Sequence, residues 1–191
     1  GFALRLHKLS AHSLWLDEQF SARFVLAPAA DMVVSLIQDK VHPPLYYFGL
    51  AVWVQLGHTE FLLRLFSVFW GVLTIPVLFG IGRLLGGGVA GLTAAFLLAV
   101  SPFHVWYSQE VRMHTLLVFA VSLSGWFLLR LAGEDTRRNW LGYVVGMITA
   151  VYTHYFALLV LVSQGLVLAL YRKRYQSLWH TFLRRVVLIV I

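Results

Sequence analysis

The chain lacks cysteine altogether and is poor in charged residues. Only 12% of its 191 residues are Asp, Glu, Lys or Arg, whereas an average soluble domain contains about 25%. Without cysteine, a disulfide framework, a thiolate metal site and a cysteine nucleophile are excluded. Because 60% of the residues are hydrophobic, the composition argues against a soluble enzyme and indicates that lipid is the main solvent.

Apolar runs long enough to cross a bilayer recur from about residue 61 onward. A hydrocarbon layer about 30 Å thick requires roughly 18 or more apolar residues in a helix. We predict spans at about 61–83, 88–106, 114–132, 138–154 and 156–171, with another opening near residue 186. The two spans that flank His154 are short for complete crossings, so short helices that meet at a recessed turn are also compatible with the pattern.

The first 60 residues differ because they contain no apolar run of spanning length. Pro43 and Pro44 break any incoming helix, and the apolar stretch 45–56 is too short to cross comfortably. We therefore predict an all-α, polytopic transmembrane helical bundle. In it, residues 1–60 form a long extracytoplasmic loop with juxtamembrane helices and residues 61–191 form the transmembrane region. The first residue is not Met and the last lies within an apolar run, so we expect an N- and C-terminally truncated fragment of a larger membrane domain.

Basic residues mark alternate loops, which predicts an orientation in the membrane. Lys and Arg favour the cytoplasmic side, and here they occupy every second loop: Arg83; Arg130, Arg137 and Arg138; and Arg172, Lys173, Arg174, Arg184 and Arg185. The net charge of +7 thus reflects topology, and we predict no nucleic-acid partner. The loops that contain Asp17, Glu110 and His154 then face the outside of a multi-pass protein of the cell membrane.

Asp17 and Glu18 form the first candidate site. They directly follow Leu14-Trp15-Leu16, so a carboxylate there would lie at the membrane boundary, partly desolvated, with a raised pKa suited to accepting a proton. The alternative is a solvated acidic pair that begins a surface helix, where acids suit the helix dipole.

The second candidate site is the segment 101–114, which joins two predicted spans. It combines a hydroxyl, two imidazoles, Glu110 and Arg112 within fourteen residues. Charged groups close to lipid are costly unless they are paired or face a polar cavity, which favours a functional interpretation. An ordinary Glu110–Arg112 contact with interfacial anchoring by Trp106 and Tyr107 would explain the same pattern.

Three single residues remain ambiguous on local grounds. Arg64 would bind phosphate through two parallel hydrogen bonds or extend to the interface, and His154 and His42 would bind substrate or satisfy neighbouring backbone groups. A histidine and carboxylate metal site is conceivable from His42, His104, His114 and His154 with Asp17 or Glu110. No spacing matches a zinc signature, so we predict no metal site, with a divalent cation as the open alternative.

Five short motifs occur in a fixed order along the chain. They are Leu14-Trp15-Leu16-Asp17-Glu18, His42-Pro43-Pro44-Leu45-Tyr46-Tyr47, Glu60-Phe61-Leu62-Leu63-Arg64-Leu65, Ser101-Pro102-Phe103 with Tyr107-Ser108-Gln109-Glu110-Val111-Arg112-Met113, and Thr153-His154-Tyr155. Together they resemble glycosyltransferase family 39 of the GT-C superfamily, which includes protein O-mannosyltransferases and lipid A aminoarabinose transferases. The resemblance implies a sugar donor carried on polyprenyl phosphate and inverting transfer to a hydroxyl on the extracytoplasmic side.

The resemblance also implies roles for individual residues. Asp17 matches the aspartate that acts as general base on the acceptor, and Glu110 stands where relatives often carry a second-loop aspartate. His42 stands where some relatives have a lysine near the donor phosphate. The remaining expected substrate contacts are Glu18, Arg64, Tyr107, Arg112 and His154. No cofactor is required by this chemistry, and the expected partners are the polyprenyl-phosphate-linked sugar, an acceptor glycan, lipid or protein hydroxyl, and the bilayer.

Two other functions remain open. A transporter or flippase of lipid-linked sugar would also keep polar groups near spans, but it predicts charged residues or broken helices near mid-membrane, whereas the charges here cluster at span ends. A non-enzymatic scaffold subunit would leave the polar loops unexplained.

Overall fold

Every regular element in the described part of the chain is a helix. The computed structural model describes the backbone of residues 1–39 and 42–190 and the side chains as far as residue 185, so the last predicted span, near residue 186, lies largely outside the described side chains. The helices are α1 (Phe2–Leu6), α2 (Leu16–Leu26), α3 (Ala29–Gln38), α4 (Leu45–Trp53) with a 3₁₀ turn (Val54–Leu56), α5 (Glu60–Val100), α6 (Pro102–Ser108), α7 (His114–Gly133), α8 (Arg137–Thr153), α9 (Ala157–Leu170) and α10 (Gln176–Val190). The predicted all-α class is confirmed.

Four short helices precede α5, and aromatic side chains of α2 and α4 pack against each other. Helix α4 begins directly after Pro44, because proline suits a helix start but not its interior. Its Tyr46, Tyr47 and Leu50 are buried together with Val111 from the loop before α7. The position of these helices along a membrane surface stays a prediction.

Helix α5 is a hairpin of two arms. Gly86 and Gly87 leave the helical conformation, and Gly87 has a φ of 80°, a region that favours glycine. The arms then pack closely, since a Cβ added at Gly82 would lie 2.8 Å from the Cα of Gly91. The second arm ends at Val100, six residues earlier than the predicted span 88–106, because Pro102 cannot continue the helix and instead begins α6.

Two helices in the described part of the chain are long and apolar enough to cross a bilayer, α5 and α7. Helices α8 and α9 contain 17 and 14 residues, as short as the sequence indicated. The polytopic bundle beyond α5 and α7 therefore stays a prediction.

The first arm of α5 runs beside α7 in the same direction. The rings of Trp70 and Phe119 lie 5.1 Å apart between centroids near the start of both helices, and Gly80 contacts Trp126 further along. At their start, the Ser67 hydroxyl donates to the Arg112 carbonyl at 3.3 Å. The loop that contains Glu110 and Arg112 is thereby fixed to the beginning of α5.

A side chain at Gly91 should disrupt the α5 hairpin. A Cβ there would lie 2.7 Å from the Phe79 carbonyl oxygen, and overpacking of this kind costs about 1–3 kcal/mol. We expect Gly91→Val to lower the thermal unfolding midpoint of the full-length protein in detergent. Gly125→Val is the matched control, because nothing lies within 4 Å of a Cβ at Gly125; equal losses in both variants would contradict the close approach of the arms.

Candidate active site

A buried ion pair joins α2 to α5. The Arg64 guanidinium donates from Nε to Glu18 Oε1 at 2.9 Å and from Nη2 to Glu18 Oε2 at 2.8 Å. The same carboxylate accepts from the backbone N–H of Val111 at 2.9 Å and of Trp15 at 3.2 Å. Glu18 is 1% exposed and Arg64 5% exposed, so this pair fixes the start of α2 against α5 and the loop before α7.

Arg64 also holds the segment that precedes α2. Its Nη1 donates to the carbonyls of Leu9 and His12, both at 2.8 Å, and its Nη2 donates to Ser13 at 3.4 Å. Protein groups therefore occupy the hydrogen-bonding positions of both Glu18 and Arg64. Their predicted contact with substrate stays a prediction, and the geometry gives them a positioning role.

Asp17 and Glu110 line one cavity, although 92 residues separate them in the sequence. This first cavity has a volume of about 560 Å³. Other side chains around it supply positive charge and aromatic surface: Lys8, Arg112, His114, Trp106 and Tyr107. Of the predicted site residues, this cavity brings together Asp17, Glu18, Arg64, Tyr107, Glu110 and Arg112.

Asp17 can be reached from two sides. Its carboxylate Oδ2 lies 3.8 Å from Arg112 Nη2, and its side chain is 46% exposed. Asp17 and Arg112 also line a second cavity of about 470 Å³, together with Phe20, Arg23 and His42. The Asp17–Arg112 pair thus forms a wall that the two cavities share.

Glu110 differs from Asp17 because it is buried, with 8% exposure. Burial raises the pKa of its carboxyl group, and the nearby Glu18 and Asp17 carboxylates add to that rise. Arg112 and a hydrogen bond from Trp106 Nε1 to Glu110 Oε1, 2.7 Å long, act in the opposite direction. Glu110 therefore retains its proton to higher pH than an ordinary glutamic acid.

This raised pKa predicts a pH-dependent gain in stability for Glu110→Gln. Ionisation of Glu110 opposes folding, so the wild-type free energy of unfolding should fall, relative to the variant, as pH rises above the ordinary value of 4.5. Glutamine keeps an acceptor for Trp106, so Glu110→Gln should unfold at a higher temperature than wild type at pH 7 and at the same temperature near pH 4. Glu134→Gln, which changes an exposed glutamate, should show no such divergence. A lower midpoint for Glu110→Gln at pH 7 would contradict the burial argument.

His42 lies at the edge of the second cavity. Its Nδ1 is 2.9 Å from Asp39 Oδ2, and its ring contacts those of Phe20 and Tyr47. His42 also lines a third cavity, of about 430 Å³, with Tyr155.

His154 ends α8 and accepts a hydrogen bond at Nδ1 from the Phe156 N–H at 3.2 Å. It interacts electrostatically with His42 and Arg112 but is not among the residues that line these three cavities. The structure thus places His154 near the site but not in the lining of these cavities.

Arg5 is a site-supporting residue that the sequence reasoning missed. It is fully buried and donates to the Leu98 and Ala99 carbonyls at the end of α5, to the Ser108 hydroxyl and to His104 Nδ1 at 2.7 Å. Because a guanidinium only donates, Nδ1 of His104 accepts and its Nε2 carries the ring proton. An arginine among apolar neighbours requires a partner. The pattern Phe2-Ala3-Leu4-Arg5-Leu6 could therefore have identified Arg5 as a buried residue with polar partners.

Arg5 and Gln109 both join α6 to α1. Gln109 Nε2 donates to the carbonyls of Arg5 at 3.1 Å and His7 at 2.8 Å, at the end of α1. Since α6 contains Trp106, which binds Glu110, these contacts position the second acidic residue.

No group of three or more His, Asp or Glu side chains within the described ranges is placed to hold a metal ion. That no cofactor is required stays a prediction.

Comparison with known proteins gives one match. The family described as dolichyl-phosphate-mannose-protein mannosyltransferase matches residues 41–191, a range that contains Arg64, Glu110, Arg112 and His154 and begins after Asp17. No curated protein and no solved structure matches the chain. The family match covers more than half of the chain and agrees with the resemblance read from the five motifs. The chain therefore belongs to the dolichyl-phosphate-mannose-protein mannosyltransferase family, a family of membrane glycosyltransferases in the GT-C superfamily.

Proposed function

We propose that the protein transfers a sugar from a polyprenyl-phosphate donor to an acceptor hydroxyl on the extracytoplasmic side of the cell membrane, with inversion at the anomeric carbon. One observation carries the proposal: Asp17 and Glu110 line one cavity, and Arg112 lies 3.8 Å from Asp17 at its wall. A base, a second carboxyl group and a cation thus converge where two apolar helices begin.

Asp17 acts as the general base in this proposal. The acceptor oxygen attacks the anomeric carbon, the bond from that carbon to the phosphate oxygen breaks, and the acceptor proton passes to Asp17. An oxocarbenium-like transition state requires an activated nucleophile on one side and a stabilised leaving group on the other. The half-exposed Asp17 side chain is accessible to an acceptor, as a base must be.

The second cavity suits the phosphate of the donor. Arg23, His42 and Arg112 line it with Asp17 as the acidic member, and a guanidinium binds phosphate oxygens in a fork. Arg112 would then neutralise the charge of the departing polyprenyl phosphate beside the base.

Glu110 and the aromatic residues suit the sugar. Glu110 lines this cavity, and a carboxyl group binds hydroxyl groups through hydrogen bonds, so Glu110 would bind a sugar hydroxyl. Trp106 and Tyr107 add apolar faces to the same cavity, against which the C–H face of a sugar ring packs. His154 accepts at Nδ1 from the Phe156 N–H, so its Nε2 carries the ring proton and would donate a hydrogen bond near the phosphate.

The proposal is tested with the purified full-length protein and a radiolabelled polyprenyl-phosphate sugar, beginning with mannose, which the family description names. We expect labelled acceptor and free polyprenyl phosphate in equal amounts. The same protein in liposomes separates the transporter alternative: movement of the donor across the bilayer with its sugar–phosphate bond intact would overturn the enzyme proposal.

A further inference from the structure

A cavity with two arginines lies far from the candidate active site. Its volume is about 600 Å³, and it opens between the first arm of α5 and the end of α7. Arg83 and Arg130 supply its positive charge, and the surrounding wall is mostly apolar: Pro76, Phe79, Leu84, Trp126 and Leu129. None of the residues proposed for sugar transfer lines it.

The arginine cavity and the active site lie at opposite ends of the same helices. Arg64 and Arg83 belong to one arm of α5 and are separated by roughly 28 Å along its axis at about 1.5 Å per residue. That length is close to the thickness of a hydrocarbon layer, about 30 Å. A bilayer that meets the active site at one boundary therefore meets the arginine cavity at the other.

Neither guanidinium group has a carboxylate partner among the described side chains. No Asp or Glu oxygen among the described side chains lies within 4.0 Å of Arg83 or Arg130. Glu134 lines the same cavity but is exposed. The Arg130 guanidinium lies 5.7 Å from the Trp126 ring centroid, so an aromatic face orients it. Two guanidinium groups in one cavity, neither of them in an ion pair with a described carboxylate, fit the oxygens of a phosphate.

We propose that this cavity binds the phosphate headgroup of an anionic phospholipid of the bilayer, with its acyl chains along the apolar wall. Basic pockets between membrane helices on the cytoplasmic side favour such headgroups. Leu84 and Leu129 are exposed beside the arginines, and a lipid covers this apolar surface whereas inorganic phosphate does not. The proposal is independent of the sugar-transfer reaction.

Topology alone would also explain two arginines at a cytoplasmic boundary, and this chain contains a charge-matched control. Arg137 and Arg138 are exposed, begin the next helix and do not line the cavity. Two double variants are compared, Arg83→Gln, Arg130→Gln and Arg137→Gln, Arg138→Gln. Each removes two positive charges from the same face. Only the first pair removes the proposed phosphate ligands.

The test is thermal unfolding of the purified full-length protein with added phosphatidylglycerol, phosphatidylcholine or inorganic phosphate. Phosphatidylglycerol should raise the wild-type midpoint in a saturable manner, and the other two should not. The concentration required should rise about tenfold or more in the Arg83→Gln, Arg130→Gln variant, because each charge-assisted hydrogen bond carries about a factor of ten. The Arg137→Gln, Arg138→Gln variant should behave as wild type.

A lysine variant keeps the proposal testable if the glutamine variant does not fold. Arg83→Lys with Arg130→Lys keeps charge and topology but loses the guanidinium fork, so phosphatidylglycerol should stabilise it less than wild type. Three results would overturn the proposal: no shift with phosphatidylglycerol in wild type, an equal shift in the cavity and control variants, or the same shift with inorganic phosphate.

Discussion

Asp17→Asn is expected to lower kcat for sugar transfer by about 100-fold to 10,000-fold, the usual contribution of a general base. The amide keeps the size of the side chain and loses the ability to accept the acceptor proton. The KM for the donor should change little, since Arg112 and the rest of the second cavity remain. Initial rates of the purified full-length protein with a polyprenyl-phosphate sugar measure both quantities.

The same variant should remain folded. The Asp17–Arg112 contact is 3.8 Å long and Asp17 is 46% exposed, so its loss costs less than about 1 kcal/mol. Asp31→Asn makes the identical chemical change at an exposed position in the first turn of α3 and should leave kcat unchanged. Wild-type turnover by Asp17→Asn would remove Asp17 from the reaction.

Arg64→Met should produce the largest loss of stability, about 3–5 kcal/mol, the cost of leaving one member of a buried ion pair alone. Glu18 would be left with only the Val111 and Trp15 N–H groups as donors. The carbonyls of the segment before α2 would lose their donor as well. The thermal unfolding midpoint and the yield of monodisperse full-length protein report the loss.

A double variant tests whether the charge left unpaired causes this loss of stability. Glu18→Met with Arg64→Met removes both charges, so it should be more stable than Arg64→Met alone. Arg138→Met is the single-site control, because Arg138 is exposed, and it should unfold like wild type. If Arg64→Met lost no more stability than Arg138→Met, the ion pair would not support the fold.

The lengths of the apolar runs predicted the all-α class and the break within α5. The predicted spans 61–83 and 88–106 correspond to its two arms, and Gly86 and Gly87 lie at the break between them. The end of the second arm was misplaced because apolar residues continue past Val100 into α6. Hydropathy does not register the change of direction that Pro102 imposes.

The candidate site was predictable as residue types but not as geometry. Asp17 and Glu18 are neighbours, and adjacent helical residues point in directions about 100° apart. Sequence alone did not reveal which carboxylate turns inward to meet Arg64. That choice depends on a partner 46 positions away, and the meeting of Asp17 with Glu110 depends on how α2 packs beside the loop before α7.

The hydrogen bond that the Val111 N–H donates to Glu18 bears on how an acceptor would bind. It ties the helix that contains Asp17 to the loop that contains Glu110 and Arg112, so these three groups keep their spacing as a preassembled unit. On the proposed function, an acceptor would then bind without a rearrangement at this point. Selection among acceptors would depend on the shape of the route to Asp17, so acceptor choice could change through the cavity walls while Asp17 stays unaltered.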